Sequence, residues 1–217
     1  MKMSTDGKRI FIAGSAGSGK SVLARSLVAD RPRVIIFDPK NEVHWQDGAE
    51  RIHHMAQFKT FLGDMRDGAF RVYYQPETGR EIERLSSLST LLMKFQAGHN
   101  AGKIERPITL IVEEMAAAAP LSIPPKHTGF PQLIRMGRSY GISVVGIAQR
   151  PAEVSPTFRG NLNAAFAFRF SFKNDRQAIA YAMQDEAVEQ AVQDLPEFHY
   201  LAFDGRSWSK CDPVPLT

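Results

Sequence analysis

The sequence predicts an α/β fold, in which a mainly parallel central sheet is flanked by helices on both faces. Short, continuous apolar runs such as Val34–Phe37 and Ile108–Val112 are typical of strands buried inside a parallel sheet. These runs alternate along the chain with stretches of helical periodicity, for example residues 80–97. Near the C-terminus, the residues on either side of Asp204-Gly205 predict a β-hairpin. No repeat or linker divides residues 1–217, so we expect a single domain.

The remaining elements follow from the same patterns. Strands are predicted at Ile10–Ala13, Val34–Phe37, Phe70–Tyr74, Ile108–Val112, Ile142–Ala148 and Ala164–Ser171, and the hairpin at His199–Phe203 and Ser207–Cys211. Helices are predicted at Val22–Val28, at 80–97, around 130–139 and at Asp175–Met183. Residues 116–131, rich in Ala and Pro, predict an irregular loop, and residues 41–69 follow no single pattern. His53 and His54 are adjacent, so their side chains point apart, and we interpret them as surface residues rather than metal ligands.

The composition limits the classes of function. The chain has 217 residues, of which 43% are hydrophobic and 23% charged, as expected of a globular domain with a buried core. Its net charge of +4 suits an anionic partner and a solvated basic surface equally well. A single cysteine, Cys211, excludes an internal disulfide, and no apolar run approaches the roughly 18 residues of a membrane span. We therefore expect a cytoplasmic location.

A phosphate-binding loop lies between the first predicted strand and the first predicted helix. The pattern G-x-x-x-x-G-K-[ST] is matched by Gly14, Ser15, Ala16, Gly17, Ser18, Gly19, Lys20 and Ser21. Its glycines let backbone N–H groups wrap phosphate oxygens, and the helix that follows aims its positive end at the same place. We expect Lys20 to reach the β- and γ-phosphates of ATP and the Ser21 hydroxyl to hold Mg²⁺.

Two adjacent carboxylates, Glu113 and Glu114, follow the buried strand Ile108–Val112. A parallel sheet delivers them to the same edge as the phosphate loop. There one carboxylate can hold Mg²⁺, directly or through water, and the other can act as general base on an attacking water. The alternative interpretation is a solvated acidic helix start, favoured by the helix dipole.

Two further polar segments end strands at this edge. Gln149 follows Ile142–Ala148, and its amide can hydrogen-bond a γ-phosphate or the attacking water; the alternative is a simple turn residue before Arg150-Pro151. Asp38-Pro39-Lys40 forms a turn after the strand Val34–Phe37, where open α/β sheets carry their ligand sites.

The segment from Arg135 to Pro151, RMGRSYGISVVGIAQRP, resembles the FtsK/HerA superfamily of DNA-pumping ATPases, and the resemblance extends over about residues 8–185. It implies a RecA-like P-loop NTPase core that works as a homo-oligomeric ring, usually a hexamer, around double-stranded DNA. By the same resemblance Glu114 is the catalytic carboxylate, Gln149 the sensor, and Arg138 the arginine finger that acts on a neighbouring subunit's nucleotide. Arg135 and Arg159 are alternative fingers.

One departure from the family pattern concerns the metal. The family usually has Asp before the catalytic Glu, and this chain has Glu113. Because Glu is one methylene longer, a water-bridged contact with Mg²⁺ is still compatible with it, and the division of roles between Glu113 and Glu114 stays open.

Several functions remain in competition. The sequence VIIFDPKNE at Val34–Glu42, in a chain with room for a motor alone, is similar to genome-packaging ATPases of tailless viruses with an internal membrane, which implies a capsid or membrane portal protein as a further partner. The alternatives are a conjugation or filamentous-phage assembly ATPase and, in different classes, a small-molecule P-loop kinase or a nucleotide-dependent switch. Lys103, Arg106 and Lys126 lie in predicted loops and are candidates for contacts with DNA phosphates. They are interpreted equally well as ordinary surface residues.

Overall fold

The computed structural model describes residues 7–65, 68–102 and 106–214. The strands are β1 (Arg9–Ala13), β2 (Arg33–Phe37), β3 (Glu50–Ile52), β4 (Phe70–Tyr74), β5 (Ile108–Val112), β6 (Ile142–Ala148), β7 (Ala164–Phe168), β8 (Tyr200–Phe203) and β9 (Trp208–Cys211). The α-helices are α1 (Lys20–Val28), α2 (Met55–Asp64), α3 (Glu81–Phe95), α4 (Met115–Ala118), α5 (Gly129–Met136), α6 (Pro156–Arg159), α7 (Lys173–Ala182) and α8 (Ala187–Gln193).

The described strands form a nine-stranded sheet with the order β3-β4-β2-β5-β6-β1-β7-β8-β9. From β3 to β7 all neighbours are parallel, and β8 and β9 add an antiparallel hairpin at one edge. The α/β fold with a mainly parallel sheet and the C-terminal hairpin are therefore confirmed. The four central strands β2, β5, β6 and β1 all end at one side, which we call the carboxyl edge; their beginnings define the amino edge.

The two faces of the sheet are covered unequally. One face packs against a large apolar cluster to which helices α2 to α8 contribute. The other face carries a smaller cluster whose helical residues, in the described part of the chain, all come from α1: Leu23, Ala24 and Val28. Helices thus lie on both faces as predicted, but one face relies on a single helix and on Trp45.

Close packing on the larger face depends on a glycine in the middle of β6. A Cβ atom on Gly146 would lie 2.7 Å from the ring of Phe158 and 2.8 Å from Met115 Cγ. Both distances are shorter than a carbon–carbon contact allows. Gly146 therefore lets α4 and α6 approach the strand that leads to Gln149.

Several element boundaries differ from the prediction. The strand predicted to reach Ser171 ends at Phe168, the stretch 116–131 contains most of α4 and the start of α5, and the helix predicted around 130–139 ends at Met136 in a 3₁₀ turn. The stretch 41–69 contains β3 and α2. Helix α2 begins where the Gln57 side chain accepts hydrogen bonds from the backbone N–H groups of His53 and His54, 2.8 and 3.0 Å long. That start lacks the usual Ser, Thr, Asp or Asn, and both histidines are exposed, as predicted.

Among the residues that the structure describes, no helix has the length and apolar character needed to cross a membrane.

Candidate nucleotide-binding site

The phosphate loop connects β1 to α1. Gly17 and Gly19 have positive φ angles of 72° and 101°, which side chains other than glycine rarely adopt. A Cβ atom on Gly14 would lie 2.6 Å from Phe168 Cβ, so only glycine fits between the loop and β7. Helix α1 starts at Lys20, which leaves the unpaired N–H groups of its first turn at the end of the loop. This is the anion-binding concavity that the motif predicts.

Two side chains of the loop have buried groups that a negatively charged ligand could bind. The buried Lys20 ammonium donates a 2.6 Å hydrogen bond to the Ser15 carbonyl oxygen. Burial, and then the nearby Lys40, lower the pKa of Lys20 to about 8. The Ser18 hydroxyl is buried and has no hydrogen-bond partner among the described residues. A bound phosphate would give the ammonium an opposite charge and the hydroxyl an acceptor.

Ser21 and Glu113 meet across the loop. The Ser21 hydroxyl donates to Glu113 Oε1 over 3.3 Å, and only 3% of the Glu113 surface is exposed. Burial, followed by repulsion from Asp38, raises the pKa of Glu113 to about 7. Its second carboxylate oxygen, Oε2, is buried without a hydrogen-bond partner in the described part of the chain.

This pair fits Mg²⁺. The ion prefers oxygen ligands and takes one or two protein ligands together with substrate phosphates and waters. A hydroxyl and a carboxylate with an unpartnered oxygen supply that set. Within the described ranges, no group of three or more His, Cys, Asp or Glu side chains could hold a metal by itself. A cation at this position would also favour the ionised form of Glu113.

Glu114 has a different environment from its neighbour. Its backbone is left-handed, with φ at 57°, and its carboxylate forms an ion pair with Lys40. Although Glu114 stands at the start of the short helix α4, its side chain makes no capping hydrogen bond there. The geometry thus favours a site carboxylate over an acidic helix start. Left-handed backbone at a residue other than Gly is a form of strain that often marks functional positions.

Lys40 is placed by a buried aspartate that the sequence analysis did not include among the site residues. Asp38 is fully buried and accepts hydrogen bonds from the backbone N–H groups of Lys40 and Glu42, at 2.8 and 2.6 Å. The hydroxyl of Tyr73 donates a third, 3.1 Å long. These bonds fix the turn after β2, and Lys40 then reaches Glu114 beyond the adjacent strand β5. The available signal was Asp-Pro-Lys directly after a buried strand.

Gln149 lies at the carboxyl edge, one residue past the point where Ala148 accepts a 3.2 Å hydrogen bond from Gly14 of the phosphate loop. The turn that carries it is held by Asp175, which is fully buried. One oxygen of Asp175 accepts from Arg150 Nε at 2.9 Å and the other from the Ala152 N–H at 3.1 Å. Asp175 therefore supports the position of Gln149, a role that the sequence analysis missed.

Arg138 lies at the amino edge, away from these groups. It is exposed beside a cavity of about 320 Å³, whose lining also includes Lys8, Arg206 and Asp204. Strand β6 separates Arg138 from Gln149, and its seven residues span roughly 20 Å. The structure thus brings the phosphate loop, both glutamates and Gln149 together at the carboxyl edge and places Arg138 at the opposite edge.

The two alternative fingers differ from Arg138. Arg135 is exposed in the last turn of α5. Arg159 is half-buried, and its guanidinium donates a 3.1 Å hydrogen bond to the Val154 carbonyl of its own segment. Arg159 is therefore partly used in holding its local fold, whereas Arg138 remains open to a partner.

Two of the three suggested DNA contacts lie in exposed loops. Arg106 precedes β5, Lys126 lies between α4 and α5, and both are exposed. Lys103 falls outside the described residues.

The fold and the phosphate loop together give the architecture of a P-loop NTPase. Solved structures confirm this fold. The chain is similar to the genome packaging NTPase B204 from Sulfolobus turreted icosahedral virus 2 in complex with AMPPCP, with a TM-score of 0.71, 20% identity, and coverage of 96% of this chain and 99% of that one.

In two other comparisons, the match covers only a small part of the other protein. The cytoplasmic domain of the Thermomonospora curvata type VII secretion ATPase EccC gives a TM-score of 0.66 at 14% identity, and the match covers 98% of this chain but 26% of that one. A Methanocaldococcus jannaschii protein named "Probable helicase MJECL08" is 25% identical over 117 residues, which are 53% of this chain and 21% of that protein. No model of a known protein family matches the chain.

Proposed function

We propose that the chain is an ATPase that translocates double-stranded DNA, as the motor of a ring that packages a viral genome into a preformed capsid. The observation that carries the ATPase part is the convergence of four groups at the carboxyl edge: Lys20, the Ser21–Glu113 pair, Glu114 with its Lys40 partner, and Gln149. The similarity to a genome packaging NTPase over nearly the whole of both chains supports the packaging role.

In this proposal each side chain at the carboxyl edge has a separate role in ATP hydrolysis. The phosphate loop binds the phosphates of ATP, and Lys20 neutralises their charge. Ser21 and Glu113 would hold Mg²⁺, which would supply positive charge beside the phosphoryl oxygens. Glu114 accepts a proton from water as the water oxygen attacks the γ-phosphorus and ADP leaves. Gln149, on a turn held by Asp175, hydrogen-bonds the γ-phosphate or the attacking water.

In this proposal the amino edge supplies an arginine that the nucleotide site of a single subunit lacks. Arg138 is exposed there, and an arginine fork matches phosphoryl oxygens while remaining charged at all relevant pH values. The resembled superfamily implies a homo-oligomeric ring, usually a hexamer, in which the amino edge of one subunit would face the phosphate loop of the next. Arg138 would then stabilise the charge that develops on the neighbour's phosphates.

The DNA part of the proposal is tested by duplex DNA and salt. ATP turnover should rise when duplex of arbitrary sequence is added, and the stimulation should fade between about 50 and 200 mM salt, because phosphate contacts release counterions. Lys20→Ala serves as the control for contaminating ATPases. Turnover that stays unchanged with DNA under all conditions would contradict DNA translocation, and turnover that rises with a phosphate-accepting nucleoside would identify a kinase.

A second candidate is a secretion or conjugation motor of the same fold, supported by the similarity to a type VII secretion ATPase. Such a motor keeps the nucleotide chemistry and exchanges DNA for another cargo. ATPase activity that is lost in Lys20→Ala but is indifferent to duplex DNA would favour this candidate over packaging.

A further inference from the structure

An apolar pocket adjoins the phosphate loop. Its volume is about 400 Å³, within the range of small-molecule sites. One wall is the loop itself, from Gly17 to Val22. The opposite wall is formed by Phe168, Phe198, Pro213 and Val214, which come from three separate segments near the C-terminal hairpin.

We propose that this pocket binds the base of the nucleotide by stacking and apolar contact, with little discrimination between adenine and guanine. The inference rests on the proposed function, because the phosphates must occupy the loop for the base to reach the pocket. Residues Gly17 to Ser21 belong to the phosphate loop and also line the pocket, so one ligand can occupy the loop and the pocket together.

Phe198 is the residue best placed to stack. It is 46% exposed, and its ring lies close to the loop: a Cβ atom built on Gly19 would be 3.8 Å from Phe198 Cδ1 and 3.5 Å from Phe168 Cε1. Its backbone is left-handed, with φ at 61°. A bulky residue rarely adopts this conformation, and such strain at a ligand-facing position points to a functional requirement for the side chain.

The chemistry of the pocket predicts weak base selectivity. Among its described lining residues, the side chains with hydrogen-bonding atoms are Ser18, Lys20 and Ser21, all of which belong to the phosphate loop. The side chains of the remaining walls offer ring faces and aliphatic carbons. Sites reject an analogue strongly when they are built to hydrogen-bond it, whereas apolar contacts distinguish ligands of similar shape only weakly. Stacking on an aromatic ring accepts any base, because every base has a π-face.

The test compares ligands with and without a base. Binding of AMPPCP and of inorganic tripolyphosphate is measured by calorimetry on the wild type and on Phe198→Ala. We expect AMPPCP affinity to fall about 5- to 100-fold in the variant, as for loss of a stacked base, while tripolyphosphate affinity stays unchanged. In the wild type, AMPPCP and its guanosine counterpart should bind within about tenfold of each other.

Two further variants control for folding and for general loss of an exposed aromatic ring. Phe198→Gly suits the positive φ, so it should fold without the backbone strain of the alanine variant and yet lose the same affinity for AMPPCP. Tyr181→Ala removes another exposed ring, 76% exposed on α7, and should bind both ligands normally.

The outcomes separate this inference from the proposed function. Equal AMPPCP affinity in the wild type and both Phe198 variants, with tripolyphosphate still bound, would overturn the base site alone. Discrimination against the guanosine ligand by more than about 100-fold would overturn the stacking account, because it requires polar readout of the base. If the wild type bound neither AMPPCP nor tripolyphosphate, the nucleotide site would be wrong and the base site would fall with it.

Discussion

Among the described residues, buried polar atoms without a hydrogen-bond partner occur at both edges of the sheet, Gln96 Oε1 at the amino edge among them, but Arg9 differs sharply from the phosphate-loop region. At the amino edge, the Arg9 guanidinium is buried and donates to the carbonyl oxygens of Ile134, Gly7 and Leu133 at 2.9, 2.6 and 3.1 Å. At the carboxyl edge, the Ser18 hydroxyl and one oxygen of Glu113 are buried without a hydrogen-bond partner in the described part of the chain.

This difference separates a structural role from a ligand-binding one. Leaving a buried polar atom without a partner costs about 1–3 kcal/mol, so native structures rarely tolerate it without a reason. Arg9 is satisfied by the fold itself and ties the start of β1 to α5. A bound phosphate and a cation would supply partners for the Ser18 hydroxyl and for the Glu113 oxygen.

The largest effect is expected at the phosphate loop. Lys20→Ala removes the charge that neutralises the phosphates and should abolish hydrolysis and weaken ATP binding, measured by phosphate release and calorimetry. Lys8→Ala, at the amino edge, is a matched control that should bind ATP normally. Near-normal turnover in Lys20→Ala would remove the phosphate-loop assignment.

The next effect divides the two glutamates. Glu114→Gln should retain ATP binding while turnover falls about 10²- to 10⁴-fold, the usual contribution of a general base. Glu113→Gln should instead weaken the dependence of ATP binding on Mg²⁺, which a magnesium titration measures. If Glu113→Gln damaged turnover more and left Mg²⁺-nucleotide affinity intact, the two roles would be reversed.

A smaller effect is expected when the contact that holds the turn carrying Gln149 is weakened. Asp175→Asn keeps the shape of the side chain but weakens its hold on Arg150, so the turn that carries Gln149 should loosen. We expect lower kcat with little change in ATP affinity. A matched change in an exposed carboxylate of the same region, Glu186→Gln, should leave both unchanged. A fall in ATP affinity with kcat preserved would contradict the positioning role.

The smallest effect concerns pH and stability. Since the pKa of Glu113 is raised to about 7 in the fold, from an ordinary value of 4.5, the folded state binds its proton more tightly than the unfolded state. The stability from this group is fully present below about pH 4.5 and is lost as pH rises through about 7. The loss is on the order of 3 kcal/mol. Without nucleotide, the wild type should therefore lose stability relative to Glu113→Gln across this range in denaturant unfolding; parallel pH profiles would contradict the burial of this carboxyl.

Site features that depend on one contiguous segment or on the end of a strand could be predicted from the sequence, whereas contacts between distant segments could not. The phosphate loop was predicted residue by residue, because one contiguous segment contains the glycines, Lys20 and Ser21. Gln149 and the glutamates were placed at one edge, because parallel strands end on the same side. The Lys40–Glu114 ion pair joins segments after β2 and β5, and only the order of strands in the sheet reveals that they are neighbours.

Asp175 and Phe198 were missed for related reasons. Asp175 lies in the first turn of α7, where an acidic residue is ordinarily explained by the helix dipole, and nothing local indicates its contact with Arg150. Phe198 lies between α8 and β8, and its place beside the phosphate loop depends on how the C-terminal segments fold back on β7. Contacts between distant segments need the tertiary structure.

We infer that the two edges of the sheet complete one catalytic site only when they belong to different subunits. Arg138→Ala alone should therefore fold and bind ATP. Its rate of ATP turnover should be lower by about 10³-fold or more, as when an arginine finger is lost. Arg135→Ala changes the exposed alternative finger nearby and should remain active if Arg138 is the finger; loss of turnover in Arg135→Ala with normal turnover in Arg138→Ala would assign the role to Arg135.

The most direct measurement mixes two inactive variants. Lys20→Ala keeps Arg138, and Arg138→Ala keeps the phosphate loop, so mixed assemblies contain some junctions with an intact loop facing an intact finger. We predict that ATP turnover reappears on mixing, in proportion to the assemblies shown to contain both variants. No recovery in such mixed assemblies, or a normal rate from Arg138→Ala alone, would contradict the account.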